Sequence, residues 1–99
     1  MPAALMVTYP ATPGARFDRD YYVETHLPLV EEKWAAHGLE TATGYFPEED
    51  AAVLAVAVLT FRDAAAREAA LGSAEASAVF GDIPNFTDVQ PTPLALSVA

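Results

Sequence analysis

The first part of the chain changes from a short apolar run to a helical pattern. Residues 3–9 are apolar enough and contain enough β-formers to predict a first strand. Two prolines and a glycine within residues 10–14 then exclude regular structure and predict a loop. Asp18 is placed to cap a helix that Gly38 ends. The apolar stripe of this helix recurs at helical spacing and consists of Val23, Leu27, Val30 and Trp34.

The remainder of the chain predicts three further strands and a second helical region. Residues 39–46 alternate loosely and predict the second strand, and Val53–Phe61 gives the clearest strand pattern of the chain. Asp63 is placed to cap an alanine-rich helix that ends at Gly72. A short helical turn, a loop and a closing strand are then expected at residues 73–80, 81–88 and 94–98.

The predicted order is therefore β-α-β-β-α-β within a single domain of residues 1–99. Right-handed crossovers turn this order into a four-stranded antiparallel sheet with both helices on one face. The sequence thus predicts an α+β protein with the ferredoxin-like βαββαβ fold.

The third strand adds a prediction about assembly, because both of its faces are apolar. Its odd positions are Val, Ala, Ala, Leu and Phe, and its even positions are Leu, Val, Val and Thr. A sheet covered on one side only is expected to alternate apolar with polar residues. Two helices cover one face, so the other face is expected to meet a ligand cavity or, most simply, a second copy of the chain. A central strand that is apolar on both faces by chance is the alternative.

Composition and charge exclude several classes of partner. Five basic and fourteen acidic residues give a net charge of −9, which leaves no cationic patch for nucleic acid or for an anionic membrane surface. No cysteine is present, so disulfides, thiol nucleophiles and thiolate metal sites are excluded. Neither a signal peptide nor a membrane-spanning run is recognised, and we expect the protein in the cytoplasm.

The candidate chemistry begins with "YYVETHLPLV", residues 21–30, where Pro28 follows one of the two histidines. A helical wheel places His26 on the margin of the apolar stripe, near Tyr22 one turn earlier. A histidine at this margin can reach both solvent and a cavity, which suits proton transfer. Pro28 inside a helix costs roughly 3 kcal/mol, and a kink there would present His26 to the cavity. Alternatively, the kink only wraps the helix around the sheet and His26 is a packing residue.

A second candidate cluster is "GDIPNFTD", residues 81–88. Asp82 is suited to pair with an imidazole and raise its basicity, and Asn85 to donate its amide to a carbonyl oxygen. Ordinary turn chemistry is the alternative for both residues. Tyr9 at the end of the first strand is expected either to line the cavity or to pack at the strand end. The two histidines, eleven residues apart and without cysteine, do not by themselves predict a metal site, although a carboxylate could complete one.

Taken together, "TYPATPGARFDRDYYVETHLPLV" at residues 8–30 and "GDIPNFTDVQPT" at residues 81–92 resemble the EthD family. This family is named after ethyl tert-butyl ether degradation and belongs to the dimeric α+β barrel superfamily. The resemblance implies a homodimer formed through the sheet face. In the middle of the chain it rests on strand pattern alone. Two positions depart from many members, namely Ala11, where an asparagine is usual, and Arg19, where a second histidine is usual.

The resemblance also implies small-molecule chemistry without a tightly bound organic cofactor. Relatives in the superfamily include muconolactone isomerases, polyketide cyclases, quinone-forming monooxygenases and haem-degrading enzymes. At the matching positions it implies His26 as the acid/base, with Asp82 beside it. The ligand-binding residues are expected to be Tyr9, Tyr22, Trp34 and Asn85.

Three functions follow as hypotheses. The first is an enzyme for isomerisation, cyclisation or oxidation of an apolar oxygenated compound. The second is a non-catalytic protein that binds or carries a hydrophobic metabolite for a neighbouring oxidase. The third makes His26 a haem ligand.

Overall fold

The structure is a computed structural model that describes residues 1–98. Its four strands are β1 (Ala3–Pro10), β2 (Leu39–Tyr45), β3 (Val53–Phe61) and β4 (Thr92–Ser97). Its α-helices are α1 (Arg19–Tyr21), α2 (Leu27–Trp34), α3 (Ala64–Leu71) and α4 (Ala76–Gly81). A π-helical segment (Tyr22–His26) joins α1 to α2, and 3-10 turns follow at Ala35–His37 and Ile83–Asn85.

The four strands form one antiparallel sheet in the order β2-β3-β1-β4. β1 and β3 lie at its centre and pair in a register that places Leu5 opposite Leu59 and Val7 opposite Ala57. The helices pack on one face of this sheet, where the buried strand residues lie. The predicted ferredoxin-like α+β fold is confirmed.

Both predicted helix caps are present. The Asp18 carboxylate accepts a hydrogen bond from the amide of Tyr21, and the Asp63 carboxylate accepts one from the amide of Ala66. Gly38 ends the first helical region with a φ of 87°, a conformation that favours glycine. The helices therefore begin and end near the predicted residues.

The first helical region differs from the prediction in one respect, because it is not α-helical throughout. The amide of Leu27 donates to the carbonyl of Tyr22, five residues earlier, so one extra residue is accommodated in this turn. The extra residue rotates the first turns relative to α2. Val23, predicted in the core, is 49% exposed, whereas Tyr22 and His26 are buried. The marginal position predicted for His26 is therefore wrong.

The π segment also gives Pro28 a favourable position. α-Helical structure resumes at Leu27, so Pro28 lies in the first turn of α2 instead of in a helix interior. A proline at this point has a suitable φ, and the amide it lacks is among those left free at a helix start.

The sheet has an apolar core on its helical side and a largely apolar outer face. The odd positions of β3 from Ala55 to Phe61 are buried beneath the helices, and its even positions are half-buried. The strand register places further uncharged side chains on the outer face. We call this set the outer sheet face: Met6, Thr8, Thr41, Thr43, Tyr45, Val56, Val58, Thr60, Thr92, Leu94 and Leu96.

Within residues 1–98, none of the helices has the length and apolar composition required to cross a membrane.

Candidate active site

The centre of the site is a histidine–aspartate pair that joins the two sequence segments singled out above. His26, at the end of the π segment, lies with its Nδ1 atom 2.9 Å from Oδ2 of Asp82. Asp82 occupies the junction between α4 and the 3-10 turn. Only 4% of the surface of His26 is exposed, so this pair is shielded from solvent on the imidazole side.

Asp82 accepts hydrogen bonds from three different side chains. The Tyr21 hydroxyl donates to Oδ1 at 2.6 Å, and the Asn85 amide donates to the same oxygen at 3.0 Å. His26 approaches the other oxygen. Partial burial raises the pKa of the Asp82 carboxyl, but the three hydrogen bonds together outweigh this effect and lower it below its ordinary value. Asp82 is therefore an ionised acceptor at neutral pH.

The tautomer of His26 follows from this partner. Burial lowers the pKa of the His26 imidazole, and the attraction of Asp82 offsets part of that decrease. The neutral ring donates its Nδ1–H to the Asp82 carboxylate, which leaves the lone pair on Nε2. A neutral imidazole with a fixed tautomer is suited to accept a proton at Nε2.

Aromatic rings fix the plane of the imidazole. The Tyr22 ring stacks on His26 with a centroid distance of 5.6 Å and an angle of 21°, and the Phe86 ring lies 4.6 Å away on a tilt. Tyr22 is one π-helical turn before His26, so the widened turn is the feature that brings both rings into the core. These contacts restrict ring rotation in addition to the bond with Asp82.

The loop that carries Asp82 is tied to the start of the first helix. The amide of Asp18 donates to the carbonyl of Phe86 at 2.7 Å, and the Thr87 hydroxyl donates to the carbonyl of Arg16 at 2.6 Å. A β-bridge between Phe17 and Thr87 reinforces the same contact. The N-cap of the helix and the aspartate loop are thus held as one unit, which explains how residues 56 positions apart meet.

A small, partly enclosed cavity lies beside His26, between the sheet and the helices. Its volume is about 30 Å³, enough for about two water molecules. Aliphatic side chains form much of the wall, and no lysine, arginine or carboxylate from residues 1–98 lines it. The lining residues used below are Tyr9, Tyr22, His26, Trp34, Phe80 and Ile83.

Two polar atoms of the cavity-lining residues have no hydrogen-bond partner among the residues that the structure describes. These are the hydroxyl of Tyr22 and Nε1 of Trp34, and both side chains are fully buried. Burial raises the pKa of the Tyr22 and Tyr9 hydroxyls above the ordinary tyrosine value, and the neighbouring Tyr22 hydroxyl raises that of Tyr9 further, so both stay protonated. Because buried donors without partners are costly, these atoms are available to a water or to a ligand oxygen.

The structure sorts the predicted site residues into two groups. Tyr9, Tyr22, His26 and Trp34 line the cavity, whereas Asp82 contacts it only through His26. The Asn85 amide points to Asp82 and to the Tyr21 hydroxyl, at 3.0 and 3.4 Å, and does not line the cavity.

Two residues of the site were not predicted from the sequence, namely Tyr21 and Phe86. The hydroxyl of Tyr21, the residue before Tyr22, donates a hydrogen bond to Asp82. Phe86 lies within the "GDIPNFTD" segment, where an aromatic residue flanked by polar turn residues indicates burial. That pattern was the available clue for Phe86, whereas the sequence held no comparable clue for Tyr21.

The residues of this cavity do not fit a haem bound to His26. Nδ1 of His26 is engaged by Asp82, and the cavity that His26 lines is far smaller than a porphyrin. In addition, no cationic side chain of residues 1–98 lines the cavity to pair with the haem carboxylates. We therefore assign no role to haem.

Comparison with known proteins gives structural matches only. Neither a protein-family model nor a protein of curated function matches this chain. An EthD-like protein from Ralstonia eutropha superposes with a TM-score of 0.87 at 27% identity, covering 99% of this chain and 92% of its own. An EthD family protein from Bacillus halodurans gives a TM-score of 0.63 at 16% identity, and the match covers 93% of this chain and 97% of that protein.

A wider group of solved structures shares the fold. SnoaB, a cofactor-independent oxygenase from Streptomyces nogalater, gives a TM-score of 0.66 at 12% identity and covers 99% of this chain and 95% of its own. The class defined by these matches is the ferredoxin-like α+β fold. The two sequence segments indicated a resemblance to the EthD family, and the match to the EthD-like protein at 27% identity confirms it.

Proposed function

We propose that this protein is a small-molecule enzyme in which His26 moves a proton on a neutral, oxygen-bearing compound held in the cavity. The observation that carries the proposal is the geometry of the His26–Asp82 pair. The carboxylate holds Nδ1 at 2.9 Å, so the basic Nε2 is left to the apolar cavity that His26 lines. Isomerisation, cyclisation and cofactor-independent oxidation all begin with such a proton transfer.

The proposed proton transfer requires no cofactor. Nε2 of His26 takes a proton from a carbon next to a carbonyl, and the electron pair of the C–H bond moves into the enolate. A hydroxyl of Tyr9 or Tyr22 donates a hydrogen bond to the enolate oxygen, and the imidazolium is stabilised by the Asp82 carboxylate. Return of the proton to another carbon gives an isomer.

The other polar residues act through Asp82. Tyr21 and Asn85 donate hydrogen bonds to its Oδ1 atom and thereby keep the carboxylate in place. In this proposal Asn85 is a positioning residue, in contrast to the substrate-binding role expected from the sequence. The description of SnoaB as cofactor-independent supports chemistry of this kind on the same fold.

The proposal includes a homodimer formed through the outer sheet face. Apolar residues on this face are incompletely covered, with Leu94 51% and Tyr45 56% exposed. A structural neighbour from Thermobifida fusca is described as a dimeric ferredoxin-like protein. A second copy is the occupant that suits a face without charged side chains.

A specific observation also favours a second candidate, a binding protein without catalysis. The unpartnered Tyr22 hydroxyl and Trp34 indole nitrogen would hold a ligand oxygen whether or not a proton moves. This candidate predicts that the protein binds the compound but forms no product, with or without His26.

The deciding experiment measures proton exchange instead of a particular product. Neutral cyclic ketones and lactones are incubated with the protein in D₂O, and deuterium incorporation next to the carbonyl is followed by NMR. The wild-type protein is expected to exceed the His26→Asn variant by roughly 10²- to 10⁴-fold, the usual range for general acid–base catalysis. Asparagine can still donate a hydrogen bond toward Asp82 but has no Nε2 base.

His37→Asn is the matched control, because His37 is the other histidine and lies away from the cavity, 3.5 Å from Glu75. It should retain the wild-type exchange rate. Equal exchange in wild-type and His26→Asn protein, with ligand still bound to both, would reject catalysis and support the binding protein.

A further inference from the structure

The wall of the cavity that carries Phe80 and Ile83 has a second open space on its other side. Both residues line the cavity beside His26, and both also line a groove that opens to solvent. The groove offers about 490 Å³ and continues along Pro84, Thr87, Asp88, Val89, Gln90, Pro91 and Pro93. These two side chains thus lie between the cavity beside His26 and the groove.

Of Phe80 and Ile83, Phe80 is the more exposed at the surface. It comes from the six-residue helix α4, and 44% of its surface is exposed. Its ring lies edge to face with the indole of Trp34 at a centroid distance of 5.9 Å. Phe80 therefore covers the buried indole from the groove side, and its half-exposed ring is less restrained than a core aromatic residue.

Size requires this wall to move if an organic ligand is to bind. The cavity volume of about 30 Å³ is far smaller than the roughly 150 Å³ of an apolar cavity that accepts benzene. Displacement of the Phe80 ring would join the cavity to the groove and supply the missing volume.

Charge and hydrogen bonding restrict the ligand further. No cationic side chain of residues 1–98 lines the cavity or the groove, Asp88 lines the groove, and the whole chain carries a net charge of −9. An anion is therefore disfavoured. The indole N–H of Trp34 lacks a partner in the described chain and can only donate, so it requires an acceptor oxygen on the ligand.

We propose that Phe80 determines ligand specificity as the movable wall between cavity and groove, and that the ligand is a neutral, ring-sized molecule whose oxygen accepts a hydrogen bond from Trp34. This inference rests on the proposed function in so far as the cavity must bind a small molecule. It does not require that His26 perform chemistry.

Trp34 provides the first test, because it is the single tryptophan of the chain. Acrylamide quenching of its fluorescence should increase severalfold in Phe80→Ala and Ile83→Ala relative to wild type. Val23→Ala truncates a similarly exposed apolar side chain outside the cavity and groove and should leave quenching unchanged. Circular dichroism checks that each variant is folded. Unchanged quenching in both folded wall variants would overturn the proposal.

The ligand class is tested by calorimetry with naphthalene, methyl naphthyl ketone and naphthoate, which share one ring system. The neutral ketone should bind at least about tenfold more tightly than the anionic naphthoate, because a charge in an apolar site is strongly disfavoured. Phe80→Ala should tighten ketone binding, since no ring has to be displaced. Equal affinity for ketone and carboxylate would refute a neutral ligand.

The role of the indole is isolated by Trp34→Phe. Its ketone-to-naphthalene affinity ratio should fall by about fivefold to tenfold, the loss typical of one hydrogen bond. An unchanged ratio would remove Trp34 from the proposal. These measurements follow binding and quenching in variants of Phe80, Ile83 and Trp34 and require no turnover, so a failure of catalysis is kept separate from a failure of this inference.

Discussion

At the scale of single residues, the buried imidazole of His26 links stability to pH. Burial lowers its pKa in the folded protein below the usual value of about 6.5, despite the attraction of Asp82. In the unfolded chain His26 is expected to titrate near that usual value. Below pH of about 6.5 the unfolded state therefore binds more protons than the folded state, and acid favours unfolding.

We predict that the free energy of unfolding decreases as the pH falls below about 6.5, and that His26→Asn reduces this decrease. The lowered pKa of Asp82 acts in the same direction at more acidic pH, below its ordinary carboxyl value of 3.8. Urea unfolding measured at a series of pH values checks both effects. The control variant His37→Asn should still lose stability below a pH of about 6.5 to the extent that the loss comes from His26. An identical pH profile for wild type and His26→Asn would contradict the burial argument.

The sequence indicated the acid/base candidate and its partner loop, but it did not indicate every donor. His26 and Asp82 are chemically distinctive, and each lies beside a proline or glycine that marks an irregular backbone. Tyr21 is different, because one of two adjacent tyrosines must point away from the core and the pattern does not tell which partner it meets. Its bond to Asp82 depends on how the loop packs on the helix, which is a tertiary contact.

At the scale of secondary structure, the sequence pattern predicted the strands correctly but did not predict which residues of the first helical region are buried. The bounds of β3 were predicted to the residue, because its apolar run is long and lies between polar turns. The predicted orientation of the first helix was wrong, because a helical wheel drawn at 100° per residue cannot represent a π-helical segment. The spacing of four residues from Tyr22 through His26 and Val30 to Trp34 exceeds the 3.6-residue period and was the available clue.

Gly44 on β2 explains how this widened helix lies so close to the sheet. A Cβ atom at Gly44 would come within 2.8 Å of the Tyr22 ring and 3.1 Å of Cδ1 of Leu27. Both side chains are buried in the cluster around the cavity, so they have little room to move aside. The absence of a side chain at Gly44 therefore permits the packing that positions Tyr22 beside His26.

We predict that Gly44→Ala destabilises the protein by about 1–3 kcal/mol, the usual cost of overpacking a core. Gly81→Ala is the matched control, because a Cβ there meets no atom within 4 Å. It should leave the free energy of unfolding unchanged or raise it by up to about 1 kcal/mol. Chemical denaturation measures the free energy of unfolding of both variants. Equal stability of the two variants would show that the side chains of Tyr22 and Leu27 can move aside.

At the scale of the whole molecule, the two faces of the sheet have different roles. The inner face carries the helices, the cavity and the His26–Asp82 pair. The outer sheet face carries threonine and apolar side chains, and none of its named positions is charged. Since the helices of the described chain cover only the inner face, the outer face is the surface that a second copy would bury.

The dimer can be tested at the centre of this face, where Val58 pairs with Met6 across β3 and β1. We predict that Val58→Arg weakens self-association by roughly a hundredfold or more, because burial of an unpaired charge costs several kcal/mol. Sedimentation equilibrium of wild type and variant measures this change. Val23→Arg makes the same substitution on the exposed side of the first helical region and should remain dimeric. The outer sheet face would be excluded as the interface if the wild-type protein were a monomer at high concentration, or if the Val58→Arg dimer were as stable as the wild-type dimer. The candidate site would then have to act within a single chain.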